Sequence, residues 1–554
     1  ALGGDKEARA QQLAMVMASQ SPGAVLLRSV GRQYPGEKVP RWSYGIYARR
    51  DGEPVWSGPA DPLLTQDEGA GRSVRALAEH LTAALSELGW PPQLYPGGGS
   101  EEWRLVFRTD GSTPPADPQA DPRLLQQSLH GRPIPPSGLN DELAAQGTYL
   151  VIVNRVVERE RSVMALELPP LTRVGDVRQL LQAIQRAGEA VGLDRLILCG
   201  YPPPVNQHVR WTTVTPDPGV IEVNQAPAAT VSELLAENRV LFQAAAAQGL
   251  APFRLHYNGQ VDDSGGGGQL SIGGPWPDAS PFFSEPQLLP RLIRYLNHHP
   301  ALSYWFAPAY VGAYSQAPRP DEGIPDLFRE LAIALELVGR RPFPDPEFLW
   351  SSLSPFLSDV SGNTHRSELN IEKLWNPGLG ERGKLGVVEF RGFAMAPAPE
   401  AQAALAALVR ALIAMLMTHA FELPLIDWGE QLHERFSLPF YLKQDLETVL
   451  DELAEAGLEL DAPVAERLLD DSARRINGLS CDGEQLELST ALEFWPQLGD
   501  TLHQSPDIRL VDASTSRLEI RISGADEASL DDWRCSVNGY SVPLRREHGN
   551  AGPV

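Results

Sequence analysis

The stretch that decides the fold contains two unusual segments, Thr215-Pro216-Asp217-Pro218-Gly219-Val220-Ile221-Glu222-Val223-Asn224 and Ser264-Gly265-Gly266-Gly267-Gly268-Gln269-Leu270-Ser271-Ile272-Gly273-Gly274. The first is typical of a Pro/Gly turn that leads into a short strand, on which Glu222 and Asn224 point to one face. Two oxygen-bearing side chains on one face can bind a hard cation such as Mg²⁺. The second is a glycine run before another apolar strand, and such a run lets backbone N–H groups approach a phosphate. Together the two segments predict a magnesium–nucleotide site.

Each segment also has a simpler interpretation. A Glu-x-Asn pair on a strand is commonly a solvated face, and four consecutive glycines commonly form a flexible linker. These two segments alone therefore do not distinguish a nucleotide site from an ordinary surface, and other parts of the sequence are needed.

Composition limits the classes of partner. The chain has 554 residues, of which 42% are hydrophobic and 21% charged, as in ordinary globular proteins. Its formal net charge of −24 argues against nucleic acid and against an anionic membrane, because both require a positive surface. The apolar window 401–417 contains Arg410 and is short for a bilayer span, so we predict a buried helix there.

Cysteine usage predicts the cellular compartment. The three cysteines, Cys199, Cys481 and Cys535, lie far apart in the sequence and show no metal-ligand spacing. Such sparse usage favours a reduced, cytoplasmic protein over a secreted disulfide scaffold. No signal-peptide pattern opens the sequence.

Periodicity divides the chain into three predicted parts. Residues 1–144 are predicted to form an accessory α/β region that ends in a Pro/Gly-rich linker. Residues 145–424 are predicted to be the core, with paired strands near 149–168 followed by several amphipathic helices. Residues 425–554 are predicted to add a helix and several β segments. A hairpin that turns at Asp51-Gly52 is also predicted, because strand-like residues flank that pair.

A second polar group follows on the strand Leu385–Arg391. Glu389 and Arg391 are two residues apart and so share a face. This pairing suits phosphoryl transfer, in which a carboxylate holds magnesium and an arginine neutralises phosphate charge. Taken alone, however, a cross-strand salt bridge is the simpler explanation of the pair. His365 and Arg366, after Gly362-Asn363, could bind an anionic substrate or cap the next helix.

These segments come in the order and spacing of one known family, with which most of the chain aligns. They are Thr215–Asn224, the glycine run, Ser315–Arg319, Asp359–Arg366, Glu389–Phe393 and Trp428–Phe436. The chain resembles the bacterial amidoligases that have a glutamine-synthetase-like core and are usually fused behind a transglutaminase-like domain. We expect both ends to be clipped relative to that longer pattern.

The resemblance implies an α+β fold with a glutamine-synthetase-like curved antiparallel sheet flanked by helices. It implies ATP and Mg²⁺ as cofactors, with Glu222 and Glu389 as metal ligands and Asn224 as an accessory ligand. The glycines Gly265, Gly266, Gly267 and Gly268, with Gln269, would lie near the nucleotide phosphates. Arg391 would stabilise the transferring phosphoryl group, and Arg366 with His365 would position the carboxylate substrate.

Four motifs differ from the family pattern at positions where that pattern has polar, metal-capable residues. The sequence has Gly268-Gln269 in place of Asn-His and Gln225-Ala226-Pro227 in place of Ile-His-Pro. It has Asn258-Gly259-Gln260-Val261 in place of Asp-Gly-Arg-His and Phe393-Ala394-Met395-Ala396-Pro397-Ala398 in place of Phe-Glu-Met-Pro-Pro-His. The active site is therefore diverged.

Two functions remain open at this point. One is an ATP- and Mg²⁺-dependent carboxylate–amine ligase that acts on a peptide or small molecule through an acyl phosphate. The other is a catalytically impaired binding or scaffolding protein with the same fold. A transglutaminase-like or ATP-grasp protein is the partner that the family context suggests. A third alternative is a carbohydrate- or metabolite-binding protein with a flexible glycine loop, which the twelve tryptophans suggest.

Overall fold

A computed structural model describes most of the chain. The described residues are 5–30, 42–65, 72–98, 101–115, 121, 124, 128–129, 139–158, 160–217, 220–255, 261–263, 267–308, 310–341, 343–376, 383–481, 483–494, 517–524 and 533–545.

The first part of the chain builds one nine-stranded sheet with the spatial order β3-β4-β5-β6-β7-β1-β2-β8-β9. Its strands are β1 (Val25–Val30), β2 (Trp42–Arg49), β3 (Gln93–Pro96), β4 (Glu102–Arg108), β5 (Thr148–Glu158), β6 (Arg161–Leu168), β7 (Ile197–Gly200), β8 (Val209–Pro216) and β9 (Ile221–Asn224). The sheet is mixed, because β7 runs parallel to both β6 and β1 whereas the other neighbours are antiparallel.

Helices cover both faces of this sheet. They are α1 (Asp5–Ser19), α2 (Val74–Glu87), α3 (Leu139–Ala145), α4 (Val174–Val191) and α5 (Val231–Ala247). Leu77 of α2 and Leu180 of α4 pack with Val151 and Val153 of β5 in one core. The alternate residue Ile152 packs on the opposite face, which explains why β5 is an unbroken apolar run.

The second part of the chain forms a separate helical core around a small antiparallel sheet. Its strands are β10 (Phe253–Leu255), β11 (Val261–Asp263), β12 (Leu270–Gly273), β13 (Tyr310–Val311), β14 (Leu369–Asn370) and β15 (Val387–Phe390), of which β12, β15 and β14 form the sheet. The helices are α6 (Pro281–Ser284), α7 (Leu288–His298), α8 (Ala301–Tyr304), α9 (Pro325–Gly339), α10 (Pro346–Leu353), α11 (Pro399–Thr418), α12 (Glu430–Phe436), α13 (Pro439–Glu455) and α14 (Ala462–Leu468).

The last described strands are β16 (Arg475–Cys481), β17 (Glu484–Thr490), β18 (Glu493–Phe494), β19 (Leu518–Ser523), β20 (Cys535–Val537) and β21 (Tyr540–Val542). β18 returns to pair with β13, whereas β16, β17 and β19 form a three-stranded antiparallel sheet of their own.

Helix α11 is long and apolar enough to cross a membrane by length and composition alone. Its residues Leu408, Leu412 and Leu416 are buried in the core of the second part. The burial of these residues identifies α11 as a core helix, which is the buried helix that the sequence predicts.

The α+β class and a large sheet flanked by helices are confirmed, although the sheet is mixed and not purely antiparallel. The hairpin predicted at Asp51-Gly52 is wrong, because β2 pairs with β1 and β8 and the described residues directly after the turn, 53–65, form no strand. The predicted division at residues 144/145 passes through the large sheet, since β4 pairs with β5 along its whole length.

Candidate functional site

One face of the β12–β15–β14 sheet carries polar residues in a row. Ser271 lies opposite Glu389, and Glu389 lies opposite Asn370. The adjacent row, Leu270, Phe390 and Leu369, is buried in the hydrophobic core. Because directly opposed residues of antiparallel strands share a face, the alternation of the sequence places the polar row on the face away from the core.

Glu389 lies at the centre of this row between two cations. Lys373 Nζ is 2.5 Å from one carboxylate oxygen, and the guanidinium of Arg391 donates to the other oxygen. Burial raises the pKa of Glu389, but the charges and hydrogen bonds of Lys373 and Arg391 together outweigh burial and hold the pKa below its ordinary value. The three side chains carry one excess positive charge, so this Lys373–Glu389–Arg391 triad favours an anion.

The end of the glycine run lies against the triad. Arg391 Nη1 donates to Gln269 Oε1 over 3.3 Å. The Gly268 N–H is already used, because it donates to the carbonyl of Phe393 over 2.8 Å. A Cβ at Gly268 would lie 2.4 Å from the Ala394 carbonyl oxygen, so this glycine permits close packing of two chain segments. Gly265 and Gly266 lie outside the described residues.

His365 belongs to a turn that leads into the triad. His365 Nε2 is 3.2 Å from a carboxylate oxygen of Glu372, and the Thr364 hydroxyl donates to the other oxygen of that carboxylate. The Asn370 amide donates to the Thr364 carbonyl over 2.8 Å, which fixes the turn against β14. Lys373 then follows Glu372 directly, so the predicted substrate-positioning segment and the anion-favouring triad are continuous in the chain.

Arg366 lies in the same turn. Its backbone N–H donates to the Asn363 carbonyl over 3.0 Å, and the Asn363 side chain accepts from the His365 N–H. Asp359 closes the turn at its start by accepting from the Ser361 and Asn363 N–H groups. The helix-capping alternative does not apply to this segment, because a turn and the short strand β14 follow it.

Glu222 and Asn224 lie elsewhere, on β9 at the end of the large sheet. Asn224 Nδ2 donates to Glu222 Oε1 over 2.7 Å, so the two side chains share a face as predicted. Among the described residues, no hydrogen bond or ion pair joins either side chain to Glu389. Glu222 and Asn224 thus lie on a different sheet from the third predicted ligand, Glu389.

The fit of Mg²⁺ can be tested on the donor atoms themselves. Both oxygens of Glu389 already accept hydrogen bonds from cationic side chains. In the part of the chain that the structure describes, no group of three or more His, Cys, Asp or Glu side chains could hold a metal ion. Glu389 thus does not fit a magnesium ligand in this arrangement.

Two supporting residues were not assigned by sequence reasoning. Arg319 is fully buried, donates to both oxygens of Asp321 and lies 3.7 Å from the carboxylate of Glu368. The backbone carbonyl of Glu368 accepts the Arg391 N–H over 2.9 Å, and the Glu368 N–H donates to the Pro318 carbonyl. The motif Ser315–Arg319 was recognisable in the sequence, but only the fold shows that it supports the strand that carries Arg391.

Lys373 was also missed. It lies beyond the short strand β14, and only strand register brings its ammonium group to Glu389.

A small, partly open cleft lies beside Arg319. Arg319 and Asp359 provide polar groups, whereas Ile324, Leu327 and Phe356 provide apolar walls. The motifs 315–319 and 359–366 therefore border both this cleft and the supports of the triad.

A family model described as "Putative amidoligase enzyme (DUF2126)" matches residues 1–119 and 137–553. No curated protein and no solved structure matches the chain. The family match covers every segment that contributes to the site described above.

Proposed function

Because the chain belongs to the family described as putative amidoligase enzymes, we propose that it is an ATP-dependent carboxylate–amine ligase. Its substrates would be a carboxylate and an amine on a peptide or small molecule. The product would be an amide or isopeptide bond.

The proposed reaction has two steps. A carboxylate oxygen attacks the γ-phosphorus of ATP, an acyl phosphate forms and ADP leaves. The amine nitrogen then attacks the acyl carbon, the carbon–nitrogen bond forms, phosphate leaves and the nitrogen loses a proton to solvent or a nearby base. Both steps move negative charge between oxygens, so positioning and electrostatic stabilisation supply most of the catalysis.

One observation carries this proposal, namely the convergence of Lys373 and Arg391 on the buried carboxylate of Glu389. Two cations held by one carboxylate leave a positive charge on an otherwise strongly acidic protein. The buried Nε of Arg391 has no hydrogen-bond partner among the described residues, so this guanidinium can still donate. Anionic oxygens of a phosphoryl group or carboxylate are suitable acceptors.

The other predicted site residues take roles around the triad in this proposal. Arg391 and Lys373 stabilise the transferring phosphoryl group, and Gly265–Gly268 with Gln269 border the nucleotide phosphates. His365 and Arg366 position the carboxylate substrate. Mg²⁺ would be held mainly by nucleotide oxygens and water, which is common for this ion. Glu222 and Asn224 stay candidate ligands only if β9 approaches the nucleotide.

Calorimetric titration with a non-hydrolysable ATP analogue, with and without Mg²⁺, tests the proposal. We expect binding to the wild type and at least about tenfold weaker binding to Lys373→Gln, because that change removes one cation from the site. Lys443→Gln is the matched control, since Lys443 of α13 lies 3.8 Å from Asp471 in a partly exposed pair that has no contact with the triad. Equal binding by Lys373→Gln and the control would contradict the proposed site.

The second candidate function is a binding or scaffolding protein without catalysis. Two observations favour it, namely the complete engagement of Glu389 by Lys373 and Arg391 and the replacement of the family's histidine by Gln269. Glutamine can donate a hydrogen bond but cannot act as a base near neutral pH. Nucleotide binding without release of ADP from ATP, in the presence of mixed carboxylates and amines, would favour this candidate.

A further inference from the structure

Two aromatic rings and a carboxylate surround the ammonium group of Lys384. Its Nζ is 5.3 Å from the centroid of the Phe283 ring and 5.6 Å from that of the Trp375 ring. The two rings meet edge to face, with centroids 6.2 Å apart and planes at 76°. Asp278 Oδ1 lies 2.8 Å from the ammonium. Asp278, Phe283 and Trp375 thus form an ammonium cage, since the face of an aromatic ring attracts a cation within about 6 Å of its centroid.

Close backbone packing brings the members of this cage together. Asp278 lies in the single helical turn Pro277–Ala279, and Phe283 follows it in α6. Gly386 has a φ of +72°, and a Cβ at this position would lie 2.7 Å from the Pro277 carbonyl oxygen. Glycine therefore allows the chain that enters β15 to pass directly against the turn that carries Asp278.

The cage is next to the Lys373–Glu389–Arg391 triad in the chain. The Lys373 carbonyl accepts the Val387 N–H over 3.3 Å, and the Leu374 carbonyl accepts the Gly386 N–H over 3.0 Å. Trp375 follows Lys373 by two residues, so their Cα atoms are at most about 7 Å apart. The same pair of chain segments therefore carries Lys373 of the triad and Trp375 of the cage.

An amine substrate needs a site of this kind. The proposed ligase reaction, on which this requirement rests, consumes an amine, and an alkylamine is protonated at neutral pH because its pKa is near that of lysine, about 10.4. The triad carries one excess positive charge and repels such an ammonium. The cage has the opposite polarity, because Asp278 is a carboxylate and the faces of aromatic rings are negative.

The ion pair that now fills the cage can be exchanged. The side chain of Lys384 is 25% exposed and that of Asp278 is 77% exposed. Ion pairs with so much solvent around one partner contribute little to stability, and lysine reaches them through a flexible stem. A substrate ammonium can therefore replace that of Lys384 while the hydrophobic core stays intact.

We propose that the cage of Asp278, Phe283 and Trp375 binds the ammonium group of the amine substrate, and that Lys384 fills the cage when no substrate is bound. The ligand class is a primary alkylammonium, such as the side chain of a lysine residue. Binding of the ammonium precedes the reaction, in which the nitrogen gives up its proton before it attacks the acyl carbon.

Calorimetric titration with n-butylammonium chloride tests the cage, with n-butanol as an uncharged probe of similar size. Lys384→Ala removes the internal ammonium, so we expect this variant to bind n-butylammonium at least about fivefold more tightly than the wild type does and to prefer it to n-butanol. Lys443→Ala is the matched control, since it removes a lysine that lies 3.8 Å from Asp471 outside the cage, and it should bind like the wild type.

A second change within the cage should reverse the gain. Trp375→Leu, added to Lys384→Ala, should return the affinity for n-butylammonium to that of the wild type, and circular dichroism verifies that the double variant is folded. Should it fail to fold, Asp278→Asn in the same background changes an exposed side chain and should weaken binding at least about threefold.

Two results would overturn the ammonium site. One is equal binding of n-butylammonium by the wild type, Lys384→Ala and Lys443→Ala, which would leave Lys384 as a packed surface lysine. The other is equal binding of n-butylammonium and n-butanol by Lys384→Ala. Because this titration needs no nucleotide, it is separate from the test of the ligase: loss of ATP-analogue binding alone contradicts the ligase, and loss of ammonium binding alone contradicts the cage.

Discussion

At the residue scale, Glu389 is an organising group of the candidate site. Its carboxylate is buried, and both of its oxygens accept from cations. Removing one partner of such a network leaves the others with charges that lack their counterion. The structure thus assigns Glu389 to holding Lys373 and Arg391 in place, and this assignment has consequences for stability that differ from those of a metal ligand.

We predict that Glu389→Gln lowers the free energy of unfolding by about 1–3 kcal/mol at neutral pH. The pKa of Glu389 lies below its ordinary value in the folded protein, so its stabilising contribution is present above the unfolded pKa. That contribution is lost as pH falls through the lowered folded pKa. The difference between wild type and variant should therefore shrink in acid, as measured by urea unfolding at neutral pH and below pH 4.5.

Magnesium provides the control for this interpretation. If Glu389 only holds the two cations, then added Mg²⁺ should change the stability of wild type and Glu389→Gln equally. A stabilisation by Mg²⁺ that occurs in the wild type and is lost in the variant would contradict this role and restore Glu389 as a metal ligand.

The pKa of Glu368 is shifted in the opposite direction to that of Glu389, so its contribution to stability has the opposite dependence on pH. Burial raises its pKa to about 7, although Arg319 opposes this shift, and the nearby carboxylates Asp321 and Glu322 add to it. The folded state therefore binds a proton more tightly than the unfolded chain. The contribution of Glu368 to stability is greatest below its ordinary pKa of 4.5 and is lost as pH rises through about 7.

Replacement by the neutral isostere isolates this effect. We predict that Glu368→Gln gains stability relative to the wild type between pH 5 and pH 8, by up to roughly 3 kcal/mol. Urea unfolding at several pH values measures the difference. A difference that is constant across this range would show that Arg319 keeps Glu368 ionised in both states.

At the element scale, α5 contains a buried polar residue. Asn238 is 0% exposed, and neither its amide nitrogen nor its carbonyl oxygen has a hydrogen-bond partner among the described residues. A buried amide without partners costs about 1–3 kcal/mol. The helix thus has a specific site at which a sequence change should improve stability.

We predict that Asn238→Leu raises the free energy of unfolding by about 1 kcal/mol, since leucine has a similar size and no polar atoms to satisfy. Thermal unfolding measures the change. Asn238→Ala is the control, because it removes the same amide but leaves a cavity, and it should be less stable than Asn238→Leu. A loss of stability in both variants would indicate that an internal water satisfies the amide.

The elements themselves were largely predictable from local sequence. Helix α2 follows an amphipathic run of the kind that favours a helix, and Ser73 caps its start by accepting from the Ala76 N–H. The alternation of Glu389 and Arg391 placed these side chains on one face, and their hydrogen bond confirms that placement.

The features that the sequence did not predict are those in which strand pairing depends on segments distant in the chain. β4 lies in a stretch rich in turn residues, and it forms because β3 and β5 flank it on both sides. The partners of β2 are β1 and β8, which no local turn signal could reveal. Lys373 likewise contacts Glu389 only because β14 pairs with β15, so its place in the triad depends on tertiary structure.

At the scale of the whole molecule, the described residues contain two large hydrophobic cores. One lies on the face of the nine-stranded sheet that α2 and α4 cover, and the other includes residues from Leu270 to Leu492. A smaller cluster on the opposite face of the sheet includes Leu241 and Ala244 of α5. Helix α5 touches both parts of the chain, because Leu241 packs with the first part and Leu234 with the second. Arg410 Nη1 also donates to the Ala229 carbonyl over 2.7 Å, and Arg239 pairs with Glu400 across the α5–α11 contact.

This arrangement predicts unfolding in two overlapping steps. Each core is large enough to be a cooperative unit, and a few contacts at α5 couple them. Scanning calorimetry should give a total enthalpy larger than the van't Hoff enthalpy of the main transition.

Weakening the junction should separate the two steps. We expect the double variant Arg239→Met and Arg410→Met to lower the melting temperature of one unit more than the other, because these contacts stabilise the units only when both are folded. The control Arg329→Met removes an exposed pair with Asp326 within α9 and should leave the spacing of the transitions unchanged. One transition with equal calorimetric and van't Hoff enthalpies in all three proteins would mean that α5 merges the two cores into a single cooperative unit. In that case the packing of Leu234 and Leu241, and not the polar contacts, would carry the coupling.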